Sequence, residues 1–239
     1  MPIGSFTSSG LMYLPLPGCL VALSLLAGAS LFGQAAPVVN PPGAVPPDRA
    51  VLVKDVKFAQ TRLNGMATNP WNRVEVIVDP RANPDPKSLN RRWVDKVKVT
   101  ATLVFKIPGK PAEEWNYYRA TATILTLEVN SPRSVFFYLP GDVVKRDNLR
   151  KDPDHYFVEL EVAGTQQSLF DARGALVADQ RNALSKSLLT KPDFEGAKGY
   201  ADRGSMVNAG ILRPQYLVDI VEDVARFSPE FVREDVPSR

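Results

Sequence analysis

The side chains able to do chemistry are few in this sequence. A single histidine, His155, must stand for every role an imidazole can play. That excludes multi-histidine metal sites and leaves a serine triad one candidate base. No Gly-x-Ser-x-Gly elbow accompanies it, and its place directly after "DPD" (residues 152–154) reads as an exposed strand end. Carboxylates come as close neighbours: Glu113 with Glu114, Asp152 with Asp154, Glu222 with Asp223. Glycoside hydrolysis needs two carboxyls at a set separation in a cleft, whereas adjacent acids in loops or on a helix are ordinarily solvated. The stretch "VDPRANPDP" offers oxygen ligands for calcium but lacks EF-hand spacing, and neither a Walker loop nor a G-x-G-x-x-G turn is present. What remains is "EEWNYY" (residues 113–118), whose Trp115, Tyr117 and Tyr118 are suited to stacking on a sugar or anchoring a protein partner, although residues of this kind more often lie half buried in a sheet. These three residues form the candidate interaction surface. The sequence assigns no catalytic residue, metal ligand or cofactor, and the expectation is a protein that is not an enzyme.

The elements that would carry these residues are strands. In "WVDKVKVTATLVFK" every second residue from Val97 to Phe105 is apolar, with Lys96, Lys98, Thr100, Thr102 and Lys106 opposite, which is the period of a half-buried strand. The same pattern predicts strands in "VLVKDVKFAQ" (51–60), "WNRVEVIVD" (71–79), "NYYRATATILTLEV" (116–129), "SVFFYLP" (134–140) and "HYFVELEVAG" (155–164), with "QQSLFDARG" (166–174) closing the set. Asn-Gly, Asn-Pro and Pro-Gly pairs mark the turns, and the prolines of residues 79–90 bar that stretch from a ladder. Six or seven antiparallel strands make an all-β fold, an immunoglobulin-like sandwich whose apolar rows interdigitate and whose Lys/Thr row is wet. A short helical insert is expected within residues 141–154. After Arg181 the chain reads as loop until "RPQYLVDIVEDVARF" (213–227), where Leu217, Ile220, Val221, Val224 and Phe227 fall at helical spacing. Such a stripe packs on its own domain or docks a partner.

The N-terminal region points to export. Residues 1–47 contain no Lys, Arg, Asp or Glu, and "CLVALSLLAGASLFG" (19–33) is an apolar run ending in small residues. It is read as a signal peptide over residues 1–35, cut after Ala35. An uncleaved leader would instead act as a membrane anchor, although the prolines at 15 and 17 interrupt the run of about 20 apolar residues that a span requires. "LPGC" (16–19) resembles a lipoprotein cleavage box, with its apolar run on the wrong side. The only cysteine, Cys19, lies within this leader, so the exported product forms no disulfide and no thiolate metal site. Residues 36–50, with five prolines, form a stiff spacer. The organisation is thus signal peptide 1–35, spacer 36–50, sandwich 51–181 and C-terminal extension 182–239 with an amphipathic helix. A net charge of +3 with scattered basic residues speaks against nucleic-acid partners.

The segments "VKDVKFAQ", "NRVEVIVD", "DKVKVTATLVFKI", "YYRATATILTLEVNSPRSVFFYLPGDVVKR" and "HYFVELEVAG", in this order, resemble a family of secreted immunoglobulin-like, pilus-associated proteins of Akkermansia and other Verrucomicrobia, encoded near type IV pilus genes. The resemblance covers residues 54–164. It implies an exported protein of the periplasm, outer membrane or cell surface, with pilus-associated or adhesive roles, other envelope or pilus proteins as partners, and no established catalysis. This N-terminus departs from a pilin, which carries a short basic leader and a hydrophobic helix with a glutamate near its start. Two functions are carried forward: a non-enzymatic envelope protein working through protein contacts, and a carbohydrate-binding module that meets glycans with exposed aromatics.

Overall fold

The computed structural model describes residues 49–63, 69–85, 87–218 and 228–232. Its strands follow the alternation of apolar residues closely: β1 Val51–Thr61, β2 Trp71–Pro80, β3 Trp93–Phe105, β4 Asn116–Glu128, β5 Arg133–Leu139, β6 His155–Val162, and the two-residue β7 Thr165–Gln166. A short helix, α1 (Gly141–Arg146), fills the insert between β5 and β6. The signal peptide and most of the spacer lie outside the described residues. Among the described residues no helix is long and apolar enough to cross a membrane.

Among the described residues every pairing is antiparallel, and the strands form two four-stranded sheets. The first has the order β1-β2-β5-β8, β8 being Arg213–Pro214, and the second the order β4-β3-β6-β7. This arrangement is consistent with an immunoglobulin-like β-sandwich. The inner face of the first sheet brings Val74, Val76, Val78, Val135 and Phe137 against Val97, Val99, Ala101 and Leu103 of β3 and Ile124 of β4, all buried. Side chains of this kind each contribute roughly 1.5–3 kcal/mol when fully taken from water, so the alternating row first seen in β3 is the centre of the core.

The opposite row of β3 departs from expectation. Lys98 and Thr100 are partly exposed, but Thr102 and Val104 are 0% and 1% exposed. A second helix, α2 (Lys191–Gly204), lies over that end of the outer face and turns it into a third layer: Phe194 meets Phe157 edge-on at 5.4 Å. The sequence reads this stretch as loop because of Pro192 and three glycines. The proline, however, occupies the first turn, where no amide donor is needed, and Thr190 caps the helix by accepting from the Asp193 amide at 3.4 Å. Gly204 has a steric reason: a Cβ there would run into the buried Tyr117 ring. Packing of Phe194 and Ala201 overrides the weak propensity of the glycines.

The helix expected over residues 213–227 is corrected at its start. Arg213 and Pro214 pair with Tyr138 and Phe137 of β5, and Gln215–Leu217 form a single 3-10 turn. The Gln215 side chain accepts from the Phe136 amide at 3.1 Å, so the free edge of β5 captures the chain before a helix can begin. The remaining positions of that stripe, residues 219–227, lie outside the described residues. Farther on, the Leu125 amide donates to the Glu230 carbonyl and the Val232 amide to the Thr123 carbonyl, both at 2.8 Å, which seals part of the β4 edge. Leu184, Leu188, Phe194 and Leu212 join the same core as the strands, so residues on both sides of Arg181 share one interior.

Candidate functional site

The alternation of a strand decides the fate of "EEWNYY". Trp115 follows a 3-10 turn (Ala112–Glu114), and β4 then begins with Asn116. Tyr117 and Tyr118 are neighbours on that strand and so point to opposite faces of the sheet. Tyr118 enters the sandwich core against Phe105, with ring centroids 6.0 Å apart, and its phenol donates to Asp147 Oδ2 at 2.5 Å. Burial, reinforced by that carboxylate, raises its pKa far above the ordinary range. Tyr117 lies beneath α2, donates to the Ala112 carbonyl at 2.7 Å, and is pushed up to about 12 chiefly by burial. Both tyrosines are buried to 1% exposure or less. As parts of an exposed aromatic surface they are therefore corrected: two adjacent strand residues cannot offer one platform, and each is covered on its own side.

Trp115 alone of the three keeps a partly exposed ring. Its Nε1 donates to the Lys110 carbonyl at 2.9 Å, Lys106 Nζ stands 4.9 Å from the ring centre, and the His155 ring lies 6.0 Å away, tilted by 35°. His155 opens β6 opposite Val104, and its Nδ1 is 2.5 Å from Ser187 Oγ, which is itself 3.2 Å from Ser185 Oγ. Burial, helped by the Lys106 charge, lowers the His155 pKa despite the opposing pull of Asp154. A neutral imidazole therefore prevails at pH 7.

These residues line one cleft. It holds about 350 Å³ and runs between α2 and the outer face of the second sheet, with Trp115, Tyr200, Leu188 and Val104 as apolar walls and His155 and Ser187 as its polar side. Pro192, Asp193, Gly196 and Ala197 supply the helix side, residues one turn apart on the same face of α2. Gly196, Ala197 and Tyr200 lie on α2, a stretch whose glycines and proline read as loop in the sequence, and Ser187 lies in the 3-10 turn Lys186–Leu188 before it. The available signal was the Thr-Lys-Pro-Asp cap at residues 190–193, followed by Phe194, Ala197 and Ala201 at helical spacing.

Of the acidic groups singled out in the sequence, Asp154, Glu114 and Asp79 have partners in the fold. Burial pushes the Asp154 carboxyl up, but the Arg150 guanidinium at 2.5 Å and the Lys106 amide at 2.8 Å outweigh it and hold the group below its usual range. Glu114 pairs with Lys110 at 2.8 Å and Asp79 with Arg81 at 2.7 Å. Asp152 lies 3.5 Å from Lys151, while Glu222 and Asp223 lie outside the described residues. Beside the cleft, Arg119, Glu159, Lys198 and Asp202 form a network that fastens α2 to the sheet. In it Arg119 meets Asp202 at 2.6 Å, Lys198 meets Glu159 at 2.9 Å, and Arg119 Nε donates to Thr102 Oγ1 at 2.9 Å. Among the described residues no group of three or more His, Cys, Asp or Glu side chains is placed to hold a metal ion.

No protein-family model matches the chain, and no curated protein matches it either. Among solved structures, a crystal structure from Akkermansia muciniphila is similar at 14% identity, covering 77% of this chain and 93% of that one, with a TM-score of 0.46. A likeness this distant carries no functional argument.

Proposed function

We propose that the chain is a non-enzymatic, exported cell-envelope protein, associated with a pilus or secretion apparatus and acting through protein–protein contacts. The observation that carries this reading is how the side chains suited to chemistry are used. The only histidine is tied to Ser187, Asp147 takes the Tyr118 phenol, and Asp154 holds a backbone amide and Arg150. A scaffold whose acids and imidazole are committed to its own geometry presents shape and surface rather than a reaction centre. The uncharged, apolar leader supports export, and the lone cysteine within it leaves a body held without disulfides. The resemblance of residues 54–164 to secreted pilus-associated proteins supports the location at periplasm, outer membrane or cell surface.

Cross-linking in the native cell, combined with sequencing of the mature N-terminus, tests the reading. Capture of an envelope or pilus component together with a chain beginning at Ala36 is the expected result. Recovery from the cytosol with Met1 in place and no envelope partner would overturn it. The carbohydrate-binding reading keeps only Trp115 of its three aromatics as a partly exposed ring, and a glycan array comparing the wild type with Trp115→Ala decides it.

A further inference from the structure

We propose that the cleft beneath α2 is a binding site for one planar aromatic ring carrying a single polar edge atom, of the phenol or indole class. This goes beyond the envelope reading and does not depend on it. Ligand sites are concave, mostly apolar, and contain a small number of polar groups that converge on one side. At about 350 Å³ the cleft has room for one ring system, and Trp115 and Tyr200 supply aromatic surface that meets a guest ring by offset or edge contacts. Lys106 lies over the Trp115 ring at 4.9 Å and Arg203 over the Tyr200 ring at 5.2 Å, which helps to fix both walls.

The polar inventory sets the class of ligand. Three polar atoms along the lining are already used: Trp115 Nε1 by the Lys110 carbonyl, the Tyr117 phenol by the Ala112 carbonyl, and Asp193 Oδ2 by the Thr190 hydroxyl at 2.5 Å. His155 lines the cleft and bonds Ser187 through Nδ1, and the guest's polar atom is assigned to its other ring nitrogen, Nε2. A sugar, with hydroxyls on every side, would leave most of them unmatched in this apolar cleft. A phenol or indole matches it with one hydrogen bond and a ring.

Gly196 gives the same answer from the helix side. It lines the cleft in the middle of α2, and a Cβ built there meets nothing within 4 Å. Glycine in a helix interior is less stable than alanine, and the open space beside Gly196 admits a larger side chain at the rim of the cleft.

The test is titration of the full chain with p-cresol, indole, toluene and N-acetyltyrosinamide, followed by calorimetry and by the indole NMR signal of Trp115. Saturable binding of p-cresol and indole is expected, about tenfold tighter than toluene for the one added hydrogen bond. Gly196→Leu should melt no lower than the wild type yet lose p-cresol, and His155→Phe should bind p-cresol and toluene alike. N-acetyltyrosinamide binding as well as p-cresol identifies the ring as one borne by a partner's backbone, and p-cresol alone identifies a free small molecule. Absence of saturable binding in the wild type, or undiminished binding by a folded Gly196→Leu, would overturn the proposal. If Gly196→Leu melts early, the His155→Phe comparison decides.

Discussion

The outer face of the second sheet has two halves made from the same strands, and they behave differently. At one end Lys98, Thr100, Thr121 and Glu161 are partly exposed, cross-strand neighbours in a polar ladder: Thr100 Oγ1 lies 3.0 Å from Thr121 Oγ1, and Lys98 Nζ lies 3.5 Å from Glu161. At the other end Thr102, Val104, Tyr117 and Phe157 are buried beneath α2. Nothing in the backbone separates the halves, since the register of β3 with β4 and β6 runs through both. The difference lies in what covers them, which shows that the meaning of a strand position depends on a segment far along the chain.

Substitutions on the two halves should therefore diverge. The largest effect is expected from Val104→Asp, which buries an unpaired charge between sheet and helix and should cost more than about 3 kcal/mol. Thr100→Asp on the open half should stay within about 0.5 kcal/mol, and urea titration of both variants measures the contrast. Arg119→Ala comes next, at about 2 kcal/mol, because it removes the charge-assisted bond to Asp202, the hydrogen bond to Thr102 and the positive charge 3.7 Å from the mostly buried Glu159. Hydrogen exchange should then locate the loss of protection in α2 and spare the open half. Gly204→Ala forces a methyl against the Tyr117 ring and should cost roughly 1–3 kcal/mol, read as a lowered melting temperature.

Acid should loosen the covered half through the same network. Burial raises the Asp202 pKa, but the Arg119 and Lys198 charges and hydrogen bonds outweigh it and hold the group below its ordinary value. A depressed folded pKa contributes stability that is fully present above the unfolded value of about 3.9 and is lost as pH falls through the folded value. Exchange protection of α2 measured between pH 6 and pH 3 should hold down to about the unfolded value and then fall. Arg119→Ala, without the charge responsible, should flatten that dependence. The smallest effect has the opposite sign: Gly196→Ala, with open space for its methyl, should stabilise the protein by about 0.5–1 kcal/mol.

The sandwich was readable in the sequence because its signal is local. Val97, Val99, Ala101 and Leu103 announce a strand through their own neighbours, and the same holds for Val74, Val76 and Val78 in β2. Even the separation of Tyr117 from Tyr118 onto opposite faces follows from strand geometry. What the sequence withheld was the cover over Tyr117. The glycines and proline of α2 weaken its propensity, and the helix exists because Phe194 and Ala201 find a partner on a strand more than thirty residues earlier in the chain. His155 and Ser187 lie 32 residues apart with no motif between them, so their bond had no local trace.

The exposed margin of β1 adds one more consequence. Its Lys54 carbonyl receives the Asn182 side chain at 2.7 Å across 128 residues of sequence, and the 3-10 stretch around that asparagine (Ala178–Ala183) packs along the strand. Until Asn182 has been synthesised, the chain can complete nearly all its sheet pairing and still display a raw ribbon border to its surroundings. An interrupted or clipped product would carry that border permanently, as an unpaired edge able to pair with another chain.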